Sequence, residues 1–579
     1  MFPIKVAKQS KDHIEHFGRK WTGESEFEGQ LETYDMHDLF NQSQLDATKQ
    51  ANIKYECQAS KMEYIMKNGN TVGAVGIAGV GKTTMVKILA KRNQSSTVMD
   101  ESPIIFFISL RDVNFAQECS VLKFLNSSML SSWPNSKKMD AKLLKKLSEA
   151  KEVFIFLDGL DEASTLSAEE LTTKMTLFDT EKPDVILKNL LCGHIFPRAK
   201  KFITSRPGAY RKLNSEYCPE FTVTVLGFEK ESIEQFCRSV GGNAFYDEVV
   251  QPALATNPTI SSLSRIPMFC QMIVQYLSRE SSSLSSIFSI SDLFVFTFLT
   301  FIRCTNFHGN VSDIPKLSQL ALKAFVFDQH TFSKSEFEEA GISSACVDTF
   351  MNMDNTNTNF RILDGENVFY FSHLLWQEFL SALCLVVFAT DDSFESCSQS
   401  FGKDRWHSVV KFVFGLINPI SLAKLQNAFP LIKRINLSQK RRVLYDFLDA
   451  LLDDYTKHAV QFYPTPLETL NYSHELSTME YHNSTAHQQL LALVSWVFEL
   501  NDERLKQNVA DKLPKTIHLR GEISSNAMSS LLQLLSNTGI SRDICFGTYV
   551  VSDYVVFDEE SFNQLLVGLR NTAHKVNKN

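Results

Sequence analysis

Gly76-Ile77-Ala78-Gly79-Val80-Gly81-Lys82-Thr83-Thr84 sets a glycine, a four-residue spacer containing further glycine, and then Gly-Lys-Thr in one unbroken run. That spacing is a complete phosphate-binding loop. Its glycines let successive backbone N–H groups turn inward and approach a polyphosphate with no Cβ in the way. A lysine at the position of Lys82 reaches β- and γ-phosphates, and the Thr83 hydroxyl is a ligand for Mg²⁺. The chemistry requires a strand before the loop and a helix after it, and both are legible. Thr71 to Val75 reads as a short apolar strand. Met85 to Arg92 reads as a helix, with Met85, Ile88 and Leu89 on one face and Lys87 and Lys91 on another. The start of that helix brings a positive dipole end beneath the phosphates.

A second chemical segment is Val153-Phe154-Ile155-Phe156-Leu157-Asp158-Gly159-Leu160-Asp161-Glu162. A run of apolar residues closing on aspartate predicts a buried parallel strand with a carboxylate at its C-terminal edge, where open α/β sheets hold their ligands. Asp158 is therefore expected to hold Mg²⁺ through water, opposite Thr83. Asp161 or Glu162 is expected to orient or activate the attacking water, and spacing alone leaves open which. A third strand, Lys201 to Ser205, ends in Arg206-Pro207. Arg206 either reads the γ-phosphate and stabilises transition-state charge or is a solvated arginine, and its chemistry alone leaves both open. Arg111, after the apolar strand Ile104 to Leu110, reads as structural or subunit-facing.

Together these segments resemble the NACHT-domain NTPases, of the STAND class, and within them the animal NOD-like receptors. GIAGVGKTT, IIFFISLRDV, FIFLDGLDEA and ITSRP stand in the family's order and spacing. Val225-Leu226-Gly227-Phe228 and then Arg265-Ile266-Pro267-Met268-Phe269-Cys270 look like the start of the family's first helical domain. Ile290-Ser291-Asp292-Leu293-Phe294 and Leu317 to Phe325 look like the start of its winged helix. Phe371-Ser372-His373-Leu374-Leu375-Trp376-Gln377-Glu378-Phe379 matches its Phe-x-His and Gln-Glu-Phe elements. The resemblance runs over roughly residues 30–510. It implies that Pro267 contacts adenine and that His373 reaches the β-phosphate of ADP at rest. It further implies a cytoplasmic signalling switch of innate immunity that is locked by ADP. Exchange for ATP releases the winged helix, leading to homo-oligomers or hetero-oligomers with related receptors, while slow hydrolysis limits the signal.

The fold expected is an α/β P-loop NTPase core, a parallel sheet with flanking helices, followed by mainly α-helical and winged-helix domains and a short leucine-rich-repeat-like tail. Its boundaries are read as 1–70 for a lead-in resembling a pre-NACHT segment, 71–226 for the nucleotide-binding domain and 227–285 for the first helical domain. The winged helix follows at 286–385, a second helical domain at 386–510, and a degenerate repeat-like tail at 511–579. No effector module is recognised at the front. No repeat with the L-x-x-L-x-L signature is sustained at the back.

Bulk properties narrow the function further. A length of 579 residues calls for several cores, and the 45 phenylalanines, many in helix-like runs, point to large helical ones. A net charge of −8 supplies no basic face for nucleic acid. The 11 cysteines form no C-x-x-C pair, so neither a disulfide framework nor a zinc site is indicated. No apolar run approaches the ~20 residues that span a bilayer. The expected function is a Mg²⁺-ATP/ADP switch with weak ATPase activity. A non-cycling scaffold or decoy of the same family, and a P-loop ATPase motor, are the alternatives.

Overall fold

A strand that is apolar on both faces is stable in water only when both faces are covered. In the computed structural model, Ile104–Ser109 and Val153–Asp158 meet that condition inside a six-stranded sheet. The structure describes residues 4–10, 26–32, 50–56, 70–95, 104–110, 113, 115, 117–125, 141–150, 153–163, 174–210, 213, 216–228, 230–279, 289–303, 311–353, 368–371, 373–428, 437–461, 489–519, 525–536, 543–546 and 575–578. Arg111 lies outside them. The chain divides into two units. One comprises Met1–Gly242, Arg265–Gln271 and Val326–Leu374; the other comprises Asn243–Ser264, Met272–Phe325 and Leu375–Asn579.

The first unit contains the sheet. Its strands are β1 (Ile4–Ser10), β2 (Thr71–Val75), β3 (Ile104–Ser109), β4 (Val153–Asp158), β5 (Lys200–Ser205) and β6 (Phe221–Phe228), in the spatial order β1-β6-β2-β5-β4-β3. The strands from β2 to β6 are mutually parallel, and β1 lines the edge antiparallel to β6. Successive side chains alternate between two cores. On one face Ile105, Phe107, Phe156 and Phe202 pack with Met85, Val86 and Leu89 of helix α1 (Lys82–Ser95). On the other, Phe106, Ile108, Ile155, Leu157 and Ile203 pack with Ile186, Leu187 and Leu190 of helix α2 (Pro183–Leu191). Pro183 opens α2, where its missing N–H costs nothing, and Asp184 complements the helix dipole.

The same unit carries a small antiparallel sheet from Phe332–Ser333, Val368–Phe371 and Met351–Met353. Helix Lys334–Ala340 begins there with a capping box. The Ser333 hydroxyl accepts from the Glu336 N–H, and the Glu336 carboxylate accepts from the Ser333 N–H. Phe332, Phe337, Phe369 and Phe371 fill the space between helix and sheet.

The second unit is helical, and phenylalanine does much of its packing. Phe294, on helix Ile290–Arg303, meets the rings of Trp376, Phe379 and Phe412 at 4.8–5.6 Å between centroids. Two buried charges in this unit sit at helix ends. The Glu499 carboxylate accepts from the Ile290 and Ser291 N–H groups at a helix N-terminus, with the Lys411 ammonium 3.8 Å away. The Lys440 ammonium donates to the Leu385, Val386 and Ala389 carbonyls at a helix C-terminus. Toward the end of the described chain, Thr516–Leu519, Asp543–Phe546 and Lys575–Lys578 form a short parallel sheet. Among the described residues no single helix is long and apolar enough to cross a membrane.

Among the buried charged residues of the first unit, Lys201 has its titration clearly displaced. Burial lowers Lys201 on β5 from its ordinary value to about 8, although Glu220 pulls it back up. The unfolded chain therefore holds this proton up to higher pH than the folded chain does. The resulting penalty is complete below pH 8 and fades as pH rises toward 10.5. Lys201→Met is expected to stabilise the protein at neutral pH by on the order of 2–3 kcal/mol. That advantage should shrink from pH 8 upward in denaturant titrations of the two proteins, and a pH-independent difference would refute the assignment.

Candidate functional site

The loop between β2 and α1 is shaped by close approaches. The Gly76 N–H donates to the Ser205 carbonyl of β5 (3.1 Å), and the Val80 N–H donates to the Ile77 carbonyl (3.4 Å). A Cβ on Gly76 would lie 2.9 Å from both the Val225 carbonyl oxygen and Val80 Cγ1, so only glycine fits there. Gly79 takes φ 78°, a left-handed value that L side chains resist. Val80 is fully buried and fixes the loop to the sheet, whereas Ile77 and Thr84 are exposed and Ala78, Gly81 and Thr83 are half-buried. The Lys82 ammonium donates to the Gly76 (2.7 Å) and Ile77 (3.0 Å) carbonyls. A mobile cation is thereby held against the loop that precedes it.

The acidic edge lies along the same side of the sheet. Asp158 ends β4 almost fully buried, and its Oδ1 accepts from the Thr204 hydroxyl at 2.6 Å. That hydroxyl oxygen accepts in turn from the Gly159 N–H at 2.8 Å. The chain then turns through Leu160–Glu162. Asp161 Oδ1 accepts from the Arg206 N–H (3.0 Å), and Oδ2 accepts from Arg206 Nε (2.9 Å). Glu162 closes the turn.

The segment Arg265–Cys270, far along the chain from the loop, meets this edge. The Phe228 N–H donates to the Arg265 carbonyl (2.6 Å), and the Met268 N–H donates to the Gly79 carbonyl (3.4 Å). Pro267 is half-buried and opens helix Pro267–Arg279. Cys270 lies 3.8 Å from Cys237, sulfur to sulfur, and burial pushes its thiol well above the usual range. His373 is half-buried at the turn between strand Val368–Phe371 and helix Leu374–Leu383.

The structure thus brings the loop, Asp158, Asp161, Arg206 and the Pro267 segment to one edge through strand pairing and direct bonds. Sequence reasoning passed over Thr204 and Met268. Thr204 had no usable signal, because the register that sets Leu157 against Ile203, and so Thr204 beside Asp158, is decided by the fold. Met268 had none either, because its bond to Gly79 joins residues far apart in the chain.

Strand, glycine loop, helix, acidic strand end and arginine-ended strand on one parallel sheet define a P-loop NTPase core. Residues 70–244 match the NACHT domain family, so this stretch is a NACHT P-loop NTPase domain, and the chain is similar to the NACHT, LRR and PYD domains-containing proteins. It is 24% identical over 380 residues to rat NACHT, LRR and PYD domains-containing protein 3, covering 60% of this chain and 36% of the relative. The human protein of the same name is 21% identical over 439 residues, covering 71% of this chain and 41% of the relative. Human NACHT, LRR and PYD domains-containing protein 7 is 25% identical over 323 residues, covering 54% and 31%. The chain therefore spans well under half the length of these curated relatives. Among solved structures, a STAND protein with a tetratricopeptide repeat sensor from Pyrococcus horikoshii aligns over 89% of this chain and 70% of its own, at 12% identity and a TM-score of 0.28.

Gly227 carries the contact between β6 and Arg265. Its φ is 97°, and a Cβ there would lie 2.2 Å from the Arg265 carbonyl oxygen. Gly227→Ala is expected to cost about 2–4 kcal/mol of stability through backbone strain and lost packing. Chemical denaturation checks this, and a change below about 0.5 kcal/mol would contradict the assignment.

Proposed function

We propose that this protein is a nucleotide-controlled signalling switch that binds ATP or ADP with Mg²⁺ at the Gly76–Thr84 loop. The observation carrying this reading is that the loop, the buried carboxylate Asp158 and the arginine Arg206 share one sheet edge, with Ser205 bonded to Gly76. The family match over residues 70–244 supports the nucleotide. In this reading the loop N–H groups from Gly76 to Thr84 and the Lys82 ammonium hold the phosphates.

The donor set suits Mg²⁺. One hydroxyl, Thr83, would ligate the ion directly and one buried carboxylate, Asp158, would hold it through water, which suits an ion that keeps several of its waters. Among the described residues no cluster of His, Cys, Asp and Glu would cage a metal by itself. When bound, Mg²⁺ would neutralise charge developing on the β- and γ-phosphates.

The remaining roles follow the family resemblance. Arg206 reads the γ-phosphate, and Asp161 or Glu162 orients the attacking water for slow hydrolysis. Pro267 contacts adenine, and its neighbour Met268 is bonded to the loop. His373 reaches the β-phosphate of ADP and holds the resting arrangement. The small sheet carrying Phe371 and the helix capped at Ser333 correspond to the winged helix. The parallel strands after Thr516 correspond to the start of a repeat array. ATP in place of ADP then selects a second domain arrangement that assembles with copies of itself or with related receptors in the cytoplasm.

Two measurements test this. Lys82→Ala should abolish ATP binding, or weaken it at least a hundredfold, in equilibrium titration; retained affinity would refute the loop assignment. Mass measurement should give a larger assembly with a non-hydrolysable ATP analogue than with ADP. His373→Ala should release ADP and remove that difference. An assembly state indifferent to nucleotide would favour a scaffold. Turnover of many ATP per second by the protein alone would favour a motor.

A further inference from the structure

Asp161 and Arg206 are joined more tightly than a surface ion pair requires. Both oxygens of a single carboxylate are committed to one residue: Oδ1 to the Arg206 backbone N–H at 3.0 Å and Oδ2 to its Nε at 2.9 Å. Asp161 and Arg206 keep only 13% and 23% of their side-chain surface, so the pair is substantially shielded from water. Asp161 is itself fixed, because the preceding turn is pinned by the Gly159 N–H to Thr204, and Thr204 to Asp158. The base of Arg206 is fixed as well, since Ser205 bonds Gly76 of the phosphate loop.

Such an arrangement constrains both partners. A carboxylate with each oxygen already accepting a charge-assisted or backbone bond is poorly placed to take a proton from water. An arginine held through its backbone and Nε has its guanidinium plane set. Holding a long cationic side chain in one orientation lowers the entropy lost when it later meets an anion.

We propose that Asp161 is a positioning residue that orients the Arg206 guanidinium for the terminal phosphate of ATP, and that water activation falls to Glu162 alone. This inference rests on the reading of Arg206 as the γ-phosphate contact. Asp161 thereby sets the preference of the site for triphosphate over diphosphate, without touching the nucleotide.

The test uses the full chain with Mg²⁺ and compares dissociation constants for AMP-PNP and for ADP. Arg206→Ala should weaken AMP-PNP about tenfold or more while leaving ADP within about twofold. Asp161→Asn should reproduce most of that selective loss, and the double variant should be no worse than Arg206→Ala. If Arg206→Ala leaves the ratio of the two affinities unchanged, the γ-phosphate reading itself fails. If Arg206→Ala shifts the ratio and Asp161→Asn does not, the positioning role alone fails. Tighter AMP-PNP binding by Asp161→Asn would also overturn it, because the carboxylate would then be restraining Arg206.

A hundredfold fall in single-turnover hydrolysis by Asp161→Asn with AMP-PNP affinity intact would return Asp161 to the role of base. Should Asp161→Asn lose its fold, as shown by circular dichroism, Asp161→Glu carries the same comparison. It keeps the charge but shifts the carboxylate by one methylene, so a selective loss of AMP-PNP affinity supports positioning and an unchanged ratio refutes it.

Discussion

The register of the parallel strands is the constraint on which the site depends. In a sheet apolar on both faces, the hydrophobic pattern gives only weak control over register, because a slip exchanges one apolar side chain for another. Polar ties at the strand ends supply what the pattern lacks. At the amino ends, the Lys201 N–H meets the Asn70 carbonyl, and the Asn70 N–H meets Glu220. At the carboxyl ends, Gly76 meets Ser205, Asp158 meets Thr204, and Asp161 meets Arg206. With both ends pinned, Val75 pairs with Ser205 and Leu157 with Ile203, and the loop, the carboxylate and the arginine arrive at one edge.

These ties serve two purposes at once. Each satisfies a polar group that burial would otherwise leave costly, and each fixes the position of a group with chemistry to do. Lys82 shows the same economy, since its bonds to the Gly76 and Ile77 carbonyls brace the loop it will use to hold phosphate. The second unit applies comparable physics to a different end. There the buried carboxylate of Glu499 and the buried ammonium of Lys440 sit at opposite kinds of helix terminus, where each is complementary to the local dipole.

Much of the core was legible in the sequence because its signals are local. The glycine spacing, the apolar run ending at Asp158 and the strand ending at Arg206 each declare a strand or turn within ten residues, and with Ile104 to Leu110 they give four of the five parallel strands; the fifth, Phe221–Phe228, was read at its end as the start of a helical domain. The large helical cores announced by phenylalanine are present around Phe294. What was not legible depends on pairs far apart in the chain. Thr204 as the partner of Asp158 is one such pair, and Met268 as the partner of Gly79 is another, because neither residue type marks its partner. The choice between a γ-phosphate arginine and a solvated one was left open for the same reason: Arg206 carries no sign in its flanks that Asp161 grips it.

The sequence by itself determined a Mg²⁺-nucleotide site of the P-loop type, because phosphate chemistry demands particular residues at fixed short spacings and those spacings are read directly; its NACHT kind came from the resemblance of the motifs and their order to that family. Only the tertiary structure decided which carboxylate is committed to holding Arg206 and which backbone segment rests on the phosphate loop. Those facts belong to hydrogen bonds between strand ends and loops separated by tens to hundreds of residues, whose partners are chosen by packing and register rather than by sequence neighbourhood.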